Sequence, residues 1–132
     1  MKVSDFKYID HFTAREVRAT GAKLKDVDKR VIICLDRVRK HFGIRIKINH
    51  LSTGKHTPSS YHYVTEERDC LAVDFKFRPG RGKKMPPKNK VVQVMIDCGF
   101  RGIGVYGWGF HGDVRYKCAL WKRVRRKYLP LV

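Results

Sequence analysis

The sequence predicts an α+β fold: a small antiparallel or mixed sheet with flanking helices, in one domain spanning 1–132. Three observations predict it. Helical periodicity comes early, with Val27, Val31, Leu35, Val38 and Phe42 at helical spacing. Strand-like alternation appears next in "IRIKINHL" (44–51) and returns in "CLAVDFKF" (70–77). A single later helical segment interrupts the strands, an order that suits α+β. A chain of 132 residues is long enough for one real core and short for two.

Each element has a local reason. Thr13-x-x-Glu16 has the spacing of a capping box and starts a short helix. The helix over 27–42 stops at Gly43. "STGKHTPSS" is a loop by composition. The Pro/Gly/Lys stretch 78–88 is a long exposed loop rather than a domain linker, because the segment C-terminal to it is too short to fold alone. "PKNKVVQVMIDCGF" predicts a helix with Pro86 or Pro87 in its first turn and Gly99 at its end. "GIGVYGWGFHGDVR" (102–115), broken by glycines, predicts two short strands or one bent strand. The tail "ALWKRVRRKYLPLV" suits an edge strand or a short helix equally.

Thirty Lys and Arg against twelve Asp and Glu give a formal charge of +18. Such a field attracts a polyanion: nucleic acid, an anionic lipid surface or an acidic cell-wall polymer. The excess lies in "RPGRGKKMPPKNK" (78–90) and "RYKCALWKRVRRKY" (115–128), which also serve simply as solvated surface. No helix-turn-helix, zinc-finger or RNA-binding signature accompanies it, so nucleic acid is not favoured. No apolar run approaches the ~18–20 residues of a membrane span. "MKVSDFKYID" lacks the apolar segment of a signal peptide, so the expectation is synthesis in the cytoplasm. Cys34, Cys70, Cys98 and Cys118 form no CxxC pair and read as free thiols packed as small hydrophobes.

Asp74 sits inside "LAVDF", where an unpaired carboxylate is costly to desolvate and so needs a partner. Three places put a histidine or carboxylate in strand-like, apolar or glycine-rich surroundings: His62, Asp74 and His111. Two imidazoles and a carboxylate are a common ligand set for catalytic Zn2+, with the fourth position left to water. Zinc lowers the pKa of such a water to roughly 7. Spacing alone is a weak signal, since six histidines in a chain of this length give such triples by chance.

The local sequence adds to this. "Ser60-Tyr61-His62 … Cys70-Leu71-Ala72-Val73-Asp74-Phe75" resembles the S-x-H-x-x-G-x-A-x-D signature of the zinc D-Ala-D-Ala peptidases. That family's relatives include murein endopeptidases, phage endolysins, vancomycin-resistance dipeptidases and the hedgehog signalling domain. "Gly102-Ile103-Gly104-Val105-Tyr106-Gly107-Trp108-Gly109-Phe110-His111-Gly112-Asp113" is similar to the family's G-x-G-x-Y segment leading into F-[VI]-H-x-D, with Trp121 further on. "INHLSTGKHTP" looks like the family's "TSGYRTP". The likeness spans about 11–121 and implies a hedgehog/DD-peptidase-like fold.

The resemblance implies His62, Asp74 and His111 as zinc ligands, with Ser60 beside the first histidine. Lys55 or His56 stands where the family has an arginine facing the substrate carboxylate, and either loses the bidentate fork. Tyr106 and Trp108 are candidates for the substrate cleft, or aromatics filling a sheet edge. Departures are clear. His62 and Asp74 are twelve positions apart, whereas the family's spacing falls on Asp69; "VTEER" reads as an insertion, and the apolar strand around Asp74 favours it as ligand. Cys70 replaces the family glycine and either packs inertly or binds zinc. Trp108 and Gly109 stand where branches of the family carry a proton acceptor. Asp113 is then the candidate catalytic carboxylate, or a group orienting His111; Glu66 and Glu67 are further candidates.

The reading implied is a zinc metallopeptidase cutting peptidoglycan stem peptides, as a D,D- or L,D-type carboxypeptidase or endopeptidase. A small basic chain of this type looks like a phage or prophage lysin acting at the cell wall. The alternative is a catalytically impaired zinc scaffold that binds a polyanion, as nucleic acid or cell-wall polymer.

Overall fold

Thr13 starts the first helix, α1 (Ala14–Ala19), its Oγ1 accepting a hydrogen bond from the Glu16 backbone N–H at 3.2 Å. The computed structural model describes residues 1–131. Among these, three α-helices, two 3₁₀ segments (Val3–Tyr8 and Leu24–Asp26) and six strands form. The main helix, α2 (Lys29–Phe42), begins two residues later than its periodicity predicts. The cause is backbone pairing: Cys70 N–H donates to Asp26 O and Asp28 N–H to Cys70 O, so Val27 is held extended. Asp28 then caps the helix, and Gly43 closes it at φ +62°, in the left-handed region that favours glycine.

Asp28 also pairs with Arg30 at 2.9 Å. Burial raises its carboxyl pKa, but the Arg30 hydrogen bonds and charge prevail and hold it below its ordinary 3.8. A depressed carboxyl stabilises the fold above its unfolded pKa and loses that contribution as pH falls. Asp28→Ala is therefore expected to lower unfolding free energy by about 1 kcal/mol at pH 7. In urea melts, the difference from wild type should shrink as pH drops below about 4.

The strands are β1 (Arg45–His50), β2 (Ala72–Arg78), β3 (Gly102–Val105), β4 (Phe110–Asp113), β5 (Ala119–Val124) and β6 (Lys127–Pro130), with helix α3 (Lys88–Asp97) between β2 and β3. Pro87 is the N-cap of α3 rather than a residue of its first turn. The sheet order is β1-β2-β4-β3-β5-β6, and it is mixed because β5 runs parallel to β3 while the other neighbours are antiparallel. Segment 102–115 thus forms two strands. The tail forms a hairpin, in which Val124 pairs with Lys127 across Arg125 and Arg126.

Period-two alternation divides the sheet. Val73, Phe75 and Phe77 of β2, Ile103 and Val105 of β3 and Phe110 of β4 are buried in one apolar cluster with Val31, Leu35, Val38, Val91 and Met95 of the helices. Gly112 belongs to this face, where a Cβ would come within 2.8–2.9 Å of Phe100 and Met95. The other face carries the polar residues of interest. All four cysteines are free, and burial pushes the Cys34 and Cys70 thiols up to about 11, so they stay protonated. Among the described residues, no helix is long and apolar enough to cross a membrane.

Candidate metal centre

Strand register places one row of residues across the open face: Asp74 of β2 beside His111 of β4, then Gly104 of β3, then Trp121 of β5. His62 reaches the row from the β1–β2 connection. Two contacts fix its ring and backbone: Nδ1–H donates to Leu51 O at 2.6 Å, and Ser60 Oγ accepts from His62 N–H at 3.3 Å. Leu71 N–H to Tyr61 O, at 2.8 Å, ties the end of the loop to β2. The "VTEER" segment folds outward as a turn, with Thr65 N–H donating to Arg68 O. The Arg68 guanidinium stitches it to Ser60 O and Tyr63 O.

His62 Nε2, His111 Nδ1 and Asp74 Oδ1 converge, with pairwise separations of 3.2, 3.2 and 3.1 Å. Tetrahedral ligation with bonds of ~2.0–2.1 Å separates donor atoms by about 3.3 Å. Both histidines are buried, and the three residues can hold a metal ion. The tautomers also fit. With Nδ1–H of His62 committed to Leu51 and Nε2–H of His111 donating to Asp113 Oδ2 at 2.7 Å, each ring turns its lone pair toward Asp74. When those facing nitrogens instead carry protons, burial raises Asp74, but hydrogen bonds from His111 and His62 outweigh it and hold the carboxyl far below the usual range. Burial alone would lower His111, and its bonds to Asp113 and Asp74 raise it instead.

Asp113 lies on the same face as His111 and is 0% exposed. Its oxygens are saturated. Oδ1 accepts from Arg115 N–H and Nε–H at 3.2 and 2.7 Å, and Oδ2 accepts from His111 and from the second arm of the Arg115 fork at 2.6 Å. Burial raises this carboxyl, yet the Arg115 and His111 bonds bring it down to about 2. A carboxylate so engaged has no lone pair open to substrate, so the geometry matches the orienting role and not that of a proton acceptor. The Arg115 guanidinium is itself placed over Tyr61, 4.3 Å from the ring centroid.

The glycines of β3 make room for this arrangement. A Cβ on Gly102 would collide with the Asp113 carboxylate and Arg115 Nε. One on Gly104 would lie 2.6–2.8 Å from the rings of Trp121 and Tyr106. Trp121 can therefore cross β3 and approach the His111 ring, with centroids 5.2 Å apart. Gly102→Ala is expected to displace Asp113 from His111 and weaken metal affinity roughly 10–100-fold. Competition with a chromogenic chelator measures it, and an unchanged affinity would show that His111 does not depend on Asp113.

The cleft over the triad is lined by His56, Ser60, Tyr106 and Trp108, as read from the sequence, and by Arg115, Trp121, Arg123 and Tyr128, which that reading did not assign to the site. Arg115 was within reach of sequence reasoning, because alternation puts 111, 113 and 115 on one side. Lys55, read with His56 as a substrate contact, does not line the cleft and is exposed. His56 Nε2–H closes the turn onto Thr53 O at 2.8 Å, and its ring stacks on His62 with centroids 4.5 Å apart. Asp69, Glu66 and Glu67 are exposed on the outer turn, apart from the cleft and the triad. Cys70 is also outside the triad, its thiol donating to Ala72 O at 3.1 Å. Gly109 has no room for a side chain, because its Cβ would meet Phe75 O. Compared with protein-family models, with curated proteins and with solved structures, the chain matches none.

Proposed function

We propose that the chain is a zinc-dependent peptidase acting on peptide bonds of peptidoglycan stem peptides. The observation that supports it most directly is the convergence of His62 Nε2, His111 Nδ1 and Asp74 Oδ1 at 3.1–3.2 Å on the floor of an open cleft. Two imidazoles in a set of three favour zinc over magnesium or calcium, which take oxygen donors. Bound there, zinc supplies the Lewis acidity that polarises a carbonyl and makes water acidic near neutral pH.

The chain's own groups supply the rest. Trp121 Nε1–H donates to Tyr106 Oη at 3.0 Å, and indole nitrogen only donates. The Tyr106 proton is thus free for an acceptor in the cleft. Burial raises the Tyr106 pKa, which keeps that proton in place. Tyr106 is the group to hold a peptide carbonyl oxygen as negative charge develops on it. Trp108 stacks on it, centroids 5.0 Å apart, as an apolar wall for the peptide. Asp113 acts through His111, holding its Nε2–H and leaving Nδ1 to the metal.

The second reading, a zinc scaffold that binds a polyanion without turnover, is favoured by one observation. Among the described residues, Asp74 is the sole carboxylate lining the cleft, and its Oδ1 faces both histidines. Release of new amino groups from purified peptidoglycan decides between them. The peptidase reading expects release by zinc-loaded protein, abolished by chelator and slowed roughly 10²-fold in Tyr106→Phe. No chelator-sensitive release from walls of several chemistries would leave the binding scaffold.

A further inference from the structure

The β5–β6 hairpin carries Lys122, Arg123, Arg125, Arg126 and Lys127, all exposed, and among the described residues none of them forms an ion pair. Its two-residue turn holds Arg125 at φ +48° and Arg126 at φ +68°. Both values lie in the left-handed region, where hairpins of this type take Asn-Gly because other side chains are strained. The chain thus keeps two guanidinium groups at the apex against the preference of the backbone. Strain held at a surface position with no packing to stabilise it points to a partner. The same hairpin also forms one wall of the cleft, through Arg123 and Tyr128.

We propose that this hairpin is a docking arm for a flexible phosphodiester polymer of the cell wall, held at its apex and led along it toward the metal centre. Alternation along the strands puts Arg123 on the cleft face and Lys122 and Lys127 on the opposite one, so below its guanidinium apex the arm offers cations on both faces to a flexible chain of repeated anions. Base-free polymer is favoured over nucleic acid by the aromatic content of the arm. Single-stranded nucleic acid is held by aromatic side chains interleaved with the cations. The six positions 122–127 around the apex hold five cations and no aromatic, whereas the hairpin's two aromatics sit at its base, Trp121 bonded to Tyr106 and Tyr128 beneath the Arg123 guanidinium at 5.4 Å.

The test uses the full chain, stripped of metal with chelator, and a soluble polyglycerol phosphate as probe. Binding is then read apart from turnover, so its failure and the failure of the peptidase reading are distinguishable. The double variant Arg125→Asn/Arg126→Gly installs the turn residues that the backbone prefers. Its thermal midpoint is expected to rise, while its affinity at 0.15 M salt falls roughly tenfold and the slope of log K against log salt drops by about 1.4. Arg125→Lys/Arg126→Lys keeps the charges and is expected to bind like wild type. Unchanged affinity in the Asn-Gly variant would overturn the proposal, as would a lowered midpoint, which would mean that the turn is not strained. Tighter binding of single-stranded DNA with the same number of phosphates would also overturn it, assigning the arm to nucleic acid.

Discussion

Asp74→Ala is expected to empty the metal centre, and Asp69→Ala to leave it filled. Elemental analysis of protein from zinc-replete expression should give about one zinc per chain for wild type and for Asp69→Ala, and near none for Asp74→Ala. His62→Ala and His111→Ala should behave like Asp74→Ala. The reason is geometric: Asp74 Oδ1 is 3.1 and 3.2 Å from the two donor nitrogens, whereas Asp69 is exposed on the turn beyond the strand. A second readout guards against misfolding. Zinc at a thousand times its dissociation constant stabilises a binding fold by about 4 kcal/mol, so added zinc should raise the midpoint of wild type and Asp69→Ala only. Zinc retained by Asp74→Ala would overturn the ligand assignment, and a metal-free wild type would remove the centre altogether.

Asp113→Ala should be the most destabilising single change at the site. It leaves the Arg115 guanidinium and the His111 Nε2–H facing a space from which water is excluded. Breaking a buried ion pair by removing one partner costs about 3–5 kcal/mol, and the lower end applies because the Arg115 side chain is 19% exposed. Zinc affinity should fall roughly 10–100-fold as well, since nothing then fixes the His111 tautomer. Asp113→Asn separates the two effects. It fills the same volume but turns an N–H group toward one of its donors, so it should recover part of the stability and less of the affinity. Denaturant midpoints and chelator competition read them independently. Full zinc affinity in Asp113→Ala would mean that the strand alone orients His111.

Much of the centre was legible because strands repeat every two residues. "LAVDF" announces a carboxylate in a strand, and "FHGD" puts His111 and Asp113 on one side of theirs. Asp69 has the spacing of the resembling family and Asp74 has the surroundings. It is Asp74 that meets the histidines, because residues inserted into a turn shift a spacing but leave the strand's parity alone. The 53–56 turn was less legible. Lys55 and His56 are adjacent, and only the bond from His56 to Thr53 O selects the ring that enters the cleft. "WKRVRRKYL" has neither period clearly; pairing of Trp121 and Lys122 with β3, and of the segment with itself across Arg125 and Arg126, makes it a hairpin. The roles of Gly102 and Gly104 were hidden for a related reason: each makes room for a residue of another strand, Asp113 or Trp121.

Local patterns in the chain suffice for the α+β class, the start of α1 and the end of α2, the strands that carry Asp74 and His111, and the excess positive charge. These come from caps, periodicity and composition, which act over a few residues. Which groups meet is settled by long-range packing. His62, Asp74 and His111 are joined across 12, 37 and 49 positions by sheet register and a loop closure. Register and closure depend on the packing of the whole core, which no short stretch of the chain encodes alone.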